Sequence, residues 1–443
     1  MKLAGGAIAG GLIALLLAHP LLCSREQVFT YWTSVVLVGW LVVLTMQRSQ
    51  WRQLIPPGAV VGSVALIGSG SLLALVLSPE PAWGSLAFLG SQLLFLWIGW
   101  WLGSDRGLAW LLGITVLAGG AAVGGYGLLQ HLHLDPLPPG TLFVDRVVSV
   151  FENPNTLANF MAALLPLAMA AFLQVQASKA QVLFLSSVGL IYAGLLLAGS
   201  RGAWWAALAG VLVLAGGYLH QIRRRVTQVH WRWIGTLLLL LGTITFLLSR
   251  ETVIQGPAGP VSMQERAFSS KNIIGSGVQQ DPSINHRYHI WQVTWQMIQE
   301  HPLLGSGYGS YARRFLEVRQ ALQNQGEFPV EGWNTHFDAL YAHNEYLQIW
   351  AESGLLGLVG FVGLMVVVVA GAVKAEWQTK SPDLVLWGAI GLIAVMLVDS
   401  LVNYPLRLPL NSTIFWLALG MLANNRSSTP PARLIPQIEG PSP

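Results

Sequence analysis

Runs of apolar residues separated by short polar stretches recur along this chain, and one long polar stretch interrupts them. A hydrocarbon core about 30 Å thick needs about twenty apolar residues in a helix to cross it. Twelve runs approach or exceed that length: 3–22, 31–46, 58–77, 84–102, 108–129, 156–174, 180–198, 203–219, 233–249, 345–373, 384–403 and 408–423. The polar interruption covers 250–342. Its first part, 251–281, is rich in Gly, Pro and Ser and predicts irregular chain. A helix is expected over 287–300, capped by Ser283 or Asn285, with Tyr288, Trp291, Trp295 and Ile298 on one face against the membrane or the bundle. A second is expected over 308–323, carrying Tyr311, Phe315 and Leu322 on one side and Arg313, Arg314 and Arg319 elsewhere, a combination that suits an anionic membrane surface.

Composition narrows the class. Apolar residues make up 53% of the chain and charged residues 10%, which excludes a water-soluble globule with a charged surface. The pattern is that of an all-α polytopic membrane protein of about twelve transmembrane helices, with one long, partly helical loop between the ninth and tenth. The single cysteine, Cys23, excludes an intramolecular disulfide framework and a multi-cysteine zinc site. The run 3–22 is read as a first span, because no small-x-small site precedes Cys23 and Leu22 is too large to precede a lipidated cysteine.

The net charge of +4 matters only through its placement. With the N-terminus inside, the short cytoplasmic segments hold thirteen Lys and Arg residues and the short outer loops only four, Arg25, Arg146, Arg201 and Arg407. Both termini and the Pro-rich tail are therefore expected in the cytoplasm, and the long loop on the outer side. The expected organisation is 1–249 for the first nine spans, 250–342 for the loop, 343–425 for the last three spans and 426–443 for a disordered tail.

Candidate chemistry clusters at the outer interface. Ser200-Arg201-Gly202 lies between two apolar spans with almost no loop. An arginine there is either an interfacial anchor or a phosphate ligand, since a guanidinium fork matches phosphate oxygens and never loses its charge. Asn285-His286-Arg287 opens a second stretch, ending in Pro302-Leu303-Leu304-Gly305-Ser306-Gly307-Tyr308-Gly309. Those glycines are not a dinucleotide fingerprint, because no strand precedes them and the register is wrong. The third stretch begins at His343-Asn344, where polar chain enters an apolar run, and the fourth is Asn403-Tyr404-Pro405-Leu406-Arg407. Asp399 is expected within the membrane, facing a hydroxyl or basic partner in the bundle.

His343-Asn344, followed after nine residues by Gly354-Leu355-Leu356-Gly357, resembles the histidine motif of the O-antigen ligase and polymerase superfamily. Arg201 resembles that family's first essential arginine. Arg287, with Ile290-Trp291 and Pro302-Leu303-Leu304-Gly305 after it, resembles the second. Asn153-Pro154-Asn155 and Tyr404-Pro405-Leu406-Arg407 also resemble recurring pieces, whereas Trp205 stands where the ligase pattern has Leu.

The resemblance implies a GT-C-like, metal-independent, inverting glycosyltransferase of the bacterial inner membrane with a periplasmic active site and no cofactor. It would move a glycan from an undecaprenyl-diphosphate-type donor to an acceptor hydroxyl on lipid A core, another glycan or a protein; nucleic acid is not expected as a partner. His343 is then the general base and Arg201 and Arg287 the diphosphate-stabilising cations, with Asn344 and Arg407 as further substrate-binding residues. The start of the tenth helix should favour the neutral imidazole. Gly354 and Gly357 are expected to let a neighbouring helix approach, with Gly354 well inside the bilayer. The alternative is a transporter or transport-associated protein, a label carried by some superfamily members.

Overall fold

The computed structural model describes residues 58–76, 83–135, 146–151, 153–176, 178–225, 231–251, 253–256, 259–262, 282–326, 339–379 and 383–424. The first two expected spans, Cys23 and the tail lie outside these segments. The described chain is mostly helical.

Ten helices occupy the positions of the expected third to twelfth spans: α1 (Gly58–Val76), α2 (Trp83–Leu102), α3 (Arg106–His131), α4 (Pro154–Gln174), α5 (Ser178–Ala198), α6 (Arg201–Arg223), α7 (Trp231–Glu251), α10 (Glu345–Gln378), α11 (Leu384–Asp399) and α12 (Pro409–Ala423). Among the described residues six of them, α3 to α7 and α10, are long and apolar enough to cross a membrane. Polar caps set several starts. Asp105 accepts from the amides of Gly107 and Leu108, Asn153 from that of Asn155 with Pro154 as first helical residue, and Asp383 from that of Val385.

Helix α4 is apolar all round and almost wholly buried, with α3, α5, α6 and α11 packed about it. Small residues permit close crossings: a Cβ on Gly391 of α11 would lie 2.8 Å from the carbonyl oxygen of Gly210 in α6. A second group of helices joins α10 to α1 and α12, and α12 to α2. Helix α7 rests on α5 and exposes Leu238, Leu239, Phe246 and Leu247, a surface suited to lipid.

The long loop begins with two short antiparallel strands, β1 (Val253–Gly256) and β2 (Gly259–Ser262), where irregular chain is expected. It continues with α8 (Pro282–Glu300) and α9 (Tyr311–Asn324). Helix α8 starts at Pro282, so Ser283 and Asn285 lie inside it and neither is its cap. Its buried face is Ile290, Val293, Thr294, Met297 and Ile298, the last as expected; Tyr288 and Trp295, expected on that face, are half exposed. The partner of this face is Tyr311, Phe315 and Val318 of α9, which form with it a small separate core. The aromatic side of α9 thus packs against protein, and Arg314 pairs with Glu300 and Glu317. These pairings correct the expectation of a membrane-facing aromatic and basic helix.

Candidate active site

Helix α10 is two helices joined at a break. Gly354 has φ 67° and ψ −175°, a conformation in effect reserved for glycine, and it interrupts the ladder of backbone hydrogen bonds. Groups released there are taken up by the long loop. The amides of Ser306 and Gly307 donate to the carbonyls of Ala351 and Glu352 at 2.8 and 2.9 Å, and the amide of Leu355 donates to the Pro302 carbonyl at 3.0 Å. Trp350 Nε1 donates to the same Pro302 oxygen at 2.9 Å. The Pro302-Leu303-Leu304-Gly305 stretch and the first glycine of the histidine motif are therefore two halves of one joint. Gly354 is not a helix-packing residue in the bilayer, as its spacing suggested; Gly360 takes that role, against Leu66 and Ile67 of α1.

At the N-terminal end of α10 lies a turn, residues 399–403, that closes α11 four residues earlier than the apolar run suggests. It receives hydrogen bonds from three directions. The amide of Glu345 donates to the Ser400 carbonyl at 2.9 Å, so a helix start and a helix end satisfy each other. Asn344 caps α10 by accepting from the amide of Leu347, and its Nδ2 donates to the Leu401 carbonyl at 3.1 Å. Arg287 Nε, from α8, donates to the Val402 carbonyl at 2.9 Å. On the remaining side α6 begins: a Cβ on Gly202 would lie 3.0 Å from Val402 Cγ2 and 3.4 Å from Asn403 Nδ2. Arg201, one residue before, therefore starts its helix beside the same turn.

His343 sits immediately before the Asn344 cap, with φ 51°, unusual for a residue with a side chain. Its ring meets that of Tyr404 edge-on at 4.8 Å and that of His286 at 6.2 Å. Tyr404 is stacked on Tyr341 at 4.5 Å, and Trp291 Nε1 donates to the Ala342 carbonyl, so the segment carrying the histidine is fixed on two sides. Burial, then the charge of Arg287, then His286, push the His343 imidazole down to about 3. The ring is neutral at physiological pH, and burial rather than the helix end is the main cause. Among the described residues its Nδ1 is buried without a hydrogen-bond partner. His286 is lowered in the same way, by burial and Arg287.

The elements that carry Arg201, Arg287 and His343 thus meet at one turn. A family model described as O-antigen ligase matches residues 182–362, the stretch that holds all three. The O-antigen ligase of Salmonella typhimurium is 28% identical over 165 residues, 37% of this chain and 34% of the relative. The exopolysaccharide production protein ExoQ of Rhizobium meliloti is 24% identical over 284 residues, 62% of this chain and 63% of the relative. Over that stretch this chain resembles the O-antigen ligase superfamily. The matches span about a third of the Salmonella ligase and less than two thirds of ExoQ.

Within the ligase superfamily motif the structure redistributes duties. Arg407 lies in a short 3-10 turn (Pro405–Arg407), and its guanidinium is held by two carboxylates. Nε donates to Glu345 Oε2 at 3.1 Å and Nη1 to Glu352 Oε2 at 2.8 Å, all three side chains being almost completely buried. Burial opposes its charge, but Glu352, Tyr308 and Glu345 outweigh it and hold the guanidinium above its usual range. The Tyr308 ring lies 5.0 Å from the guanidinium carbon, and burial pushes its hydroxyl up to about 12. A cation so occupied braces the joint. Asn344 is likewise engaged, as cap and as turn ligand.

Glu345 is a ligand of Arg407, and Glu352 carries no sequence signal beyond being a carboxylate inside an apolar run. His336, Asp338, Asp145 and Glu152 lie outside the described residues. Among the described residues, no three His, Cys, Asp or Glu side chains come together as a metal site.

Proposed function

We propose that this chain is a membrane glycosyltransferase that moves a glycan from a polyprenyl-diphosphate carrier to an acceptor hydroxyl at the outer face of the bacterial inner membrane. The observation that carries this reading is the convergence of Arg287, the His343–Asn344 segment and the start of the Arg201 helix on the 399–403 turn. Both relatives are named for polysaccharide work, which favours transfer over the transporter reading.

In this reading the two arginines take the diphosphate, whose leaving oxygen gains negative charge as the bond to the sugar breaks. Neutral His343 accepts the proton of the acceptor hydroxyl, and its unpartnered Nδ1 is supporting geometry for a group awaiting substrate. The acceptor oxygen forms the new bond to the anomeric carbon, with inversion, while the diphosphate departs with the electron pair. The protonated imidazole then returns its proton to the diphosphate or to water. The residues named suffice for this without a metal ion. Asn344 and Arg407 are positioning residues rather than substrate ligands.

The acceptor decides between ligase and polymerase. A strain lacking this gene should change its surface glycan: free lipid-linked polymer would mark a ligase, and single repeat units on the anchor a polymerase. An unchanged glycan, with loss of carrier-dependent uptake of a small anion, would reject the transferase.

A further inference from the structure

Arg146 enters the sequence pattern only as one of four basic residues in the short outer loops, yet in the structure it ties three helices together. Its segment is anchored on α3. The Ser149 amide donates to Gln130 Oε1 at 2.7 Å, Gln130 Nε2 donates to the Ser149 carbonyl at 3.1 Å, and Ser149 Oγ donates to the Val123 carbonyl at 2.7 Å. From this base the guanidinium reaches the end of α5. Nε and Nη2 both donate to the Ala198 carbonyl, at 3.0 and 2.5 Å, and Nη2 also donates to Asn155 Oδ1, in the first turn of α4, at 3.2 Å.

Ala198 is buried and closes α5, so its carbonyl has no partner within the helix and is satisfied by a side chain from outside. Only Gly199, in the left-handed region at φ 63°, and Ser200 separate it from Arg201, the first residue of α6. A corner of two residues has no slack. The place where α5 ends therefore sets where Arg201 begins its helix beside the 399–403 turn. Trp204 Nε1 donates to the Leu195 carbonyl at 3.1 Å, a second link between α5 and α6 that remains when Arg146 is replaced.

We infer that Arg146 is a positioning residue for the donor site: by gripping the Ala198 carbonyl and Asn155 at once, it fixes the α5–α6 corner from which Arg201 meets the diphosphate. The inference rests on the proposed role of Arg201. A residue that acts only through Arg201 has nothing left to act on once Arg201 is gone.

The test is a double-variant cycle on purified full-length protein, with undecaprenyl diphosphate as the probe. Arg201→Ala should weaken binding about ten- to a hundred-fold, the usual consequence of losing a hydrogen bond to a charged group. Arg146→Ala should weaken it less, by about three- to tenfold, and the double variant should bind no more weakly than Arg201→Ala alone. A scaffold role would lower the folded fraction in either background, and a direct contact with the probe would add its own loss, so losses that multiply would overturn the inference. Unchanged affinity in Arg146→Ala would do the same. Where Arg146→Ala does not fold, Arg146→Lys, which keeps the charge and one donor but not the fork, takes its place in the cycle with the same expectations; loss of folded protein in both also overturns the inference. If the unsubstituted protein fails to bind the probe, or Arg201→Ala binds it equally well, the proposed donor site falls and the inference with it. With Arg201→Ala impaired, the other contrary outcomes reject the inference alone.

Discussion

Gly305 and Gly354, forty-nine residues apart in sequence, lie on the two sides of one tight contact: a Cβ on Gly305 would lie 2.5 Å from the Gly354 amide nitrogen, and one on Gly354 would collide with the Leu303 carbonyl. Both have φ near +70°. The joint fixes the long loop, and with it Arg287, against the helix that starts just after His343.

Gly354→Ala, a change that stabilises an ordinary helical position by about 1 kcal/mol, should instead destabilise here, since it adds a strained backbone worth about 1–3 kcal/mol to a collision with the loop. Thermal unfolding and limited proteolysis between 300 and 310 should show lower stability and a more accessible loop. A variant as stable as the original, with a protected loop, would contradict the joint.

Arg407→Ala strands Glu345 and Glu352 in a buried site. Removing one partner of such a cluster typically costs about 3–5 kcal/mol, so the variant should fold poorly or melt far below the original protein. If it instead melts normally and loses only donor binding, Arg407 is a substrate ligand after all.

The pH dependence follows from the sign of the His343 shift. An unfolded histidine titrates near 6.5, whereas His343 in the fold titrates at about 3. Between those values the unfolded chain binds a proton that the folded chain does not, so folding stability falls as pH drops from 6.5 toward 3. A histidine with an ordinary value would give no such loss. Melting temperatures of the original protein and His343→Phe, compared across pH 4–7, should show the loss in the original protein beyond that of the variant.

For catalysis, the kcat/KM profile, which reports the unliganded protein, should keep its acid limb well below 6.5. A bound diphosphate offsets the field of Arg287, so the limb in kcat should lie at higher pH than the limb in kcat/KM. Coincident limbs near 6.5 would show that His343 is not the group titrating in this environment.

Helix positions were legible because breaks in apolar runs are local; in the structure Asp105, Asn153, Asn344 and Asp383 cap the helices that follow them. The identity of the three converging residues was legible from motif resemblance, not from periodicity. The joint was not. A glycine inside an apolar run reads equally as a packing contact or a break, and only the carbonyls of Ala351 and Glu352 bonded to the loop decide between them. The early end of α11 was hidden because Leu401 and Val402 continue the apolar run beyond Asp399. The face of α8 was read only in part: Ile298 is buried as expected and Trp291 packs on the same core, but Tyr288 and Trp295 are half exposed and the rest of the buried stripe is Ile290, Val293 and Met297.

The most direct measurement is single-turnover transfer by the purified protein, given a lipid-linked glycan donor and an acceptor, with His343→Ala, Arg201→Ala and Arg287→Ala alongside. Convergence predicts that each variant loses about 100-fold or more. His343→Ala should bind donor normally and fail in the chemical step, while Arg287→Ala should also bind donor weakly. Full transfer by any of the three, in a folded variant, would contradict a single site built around the 399–403 turn.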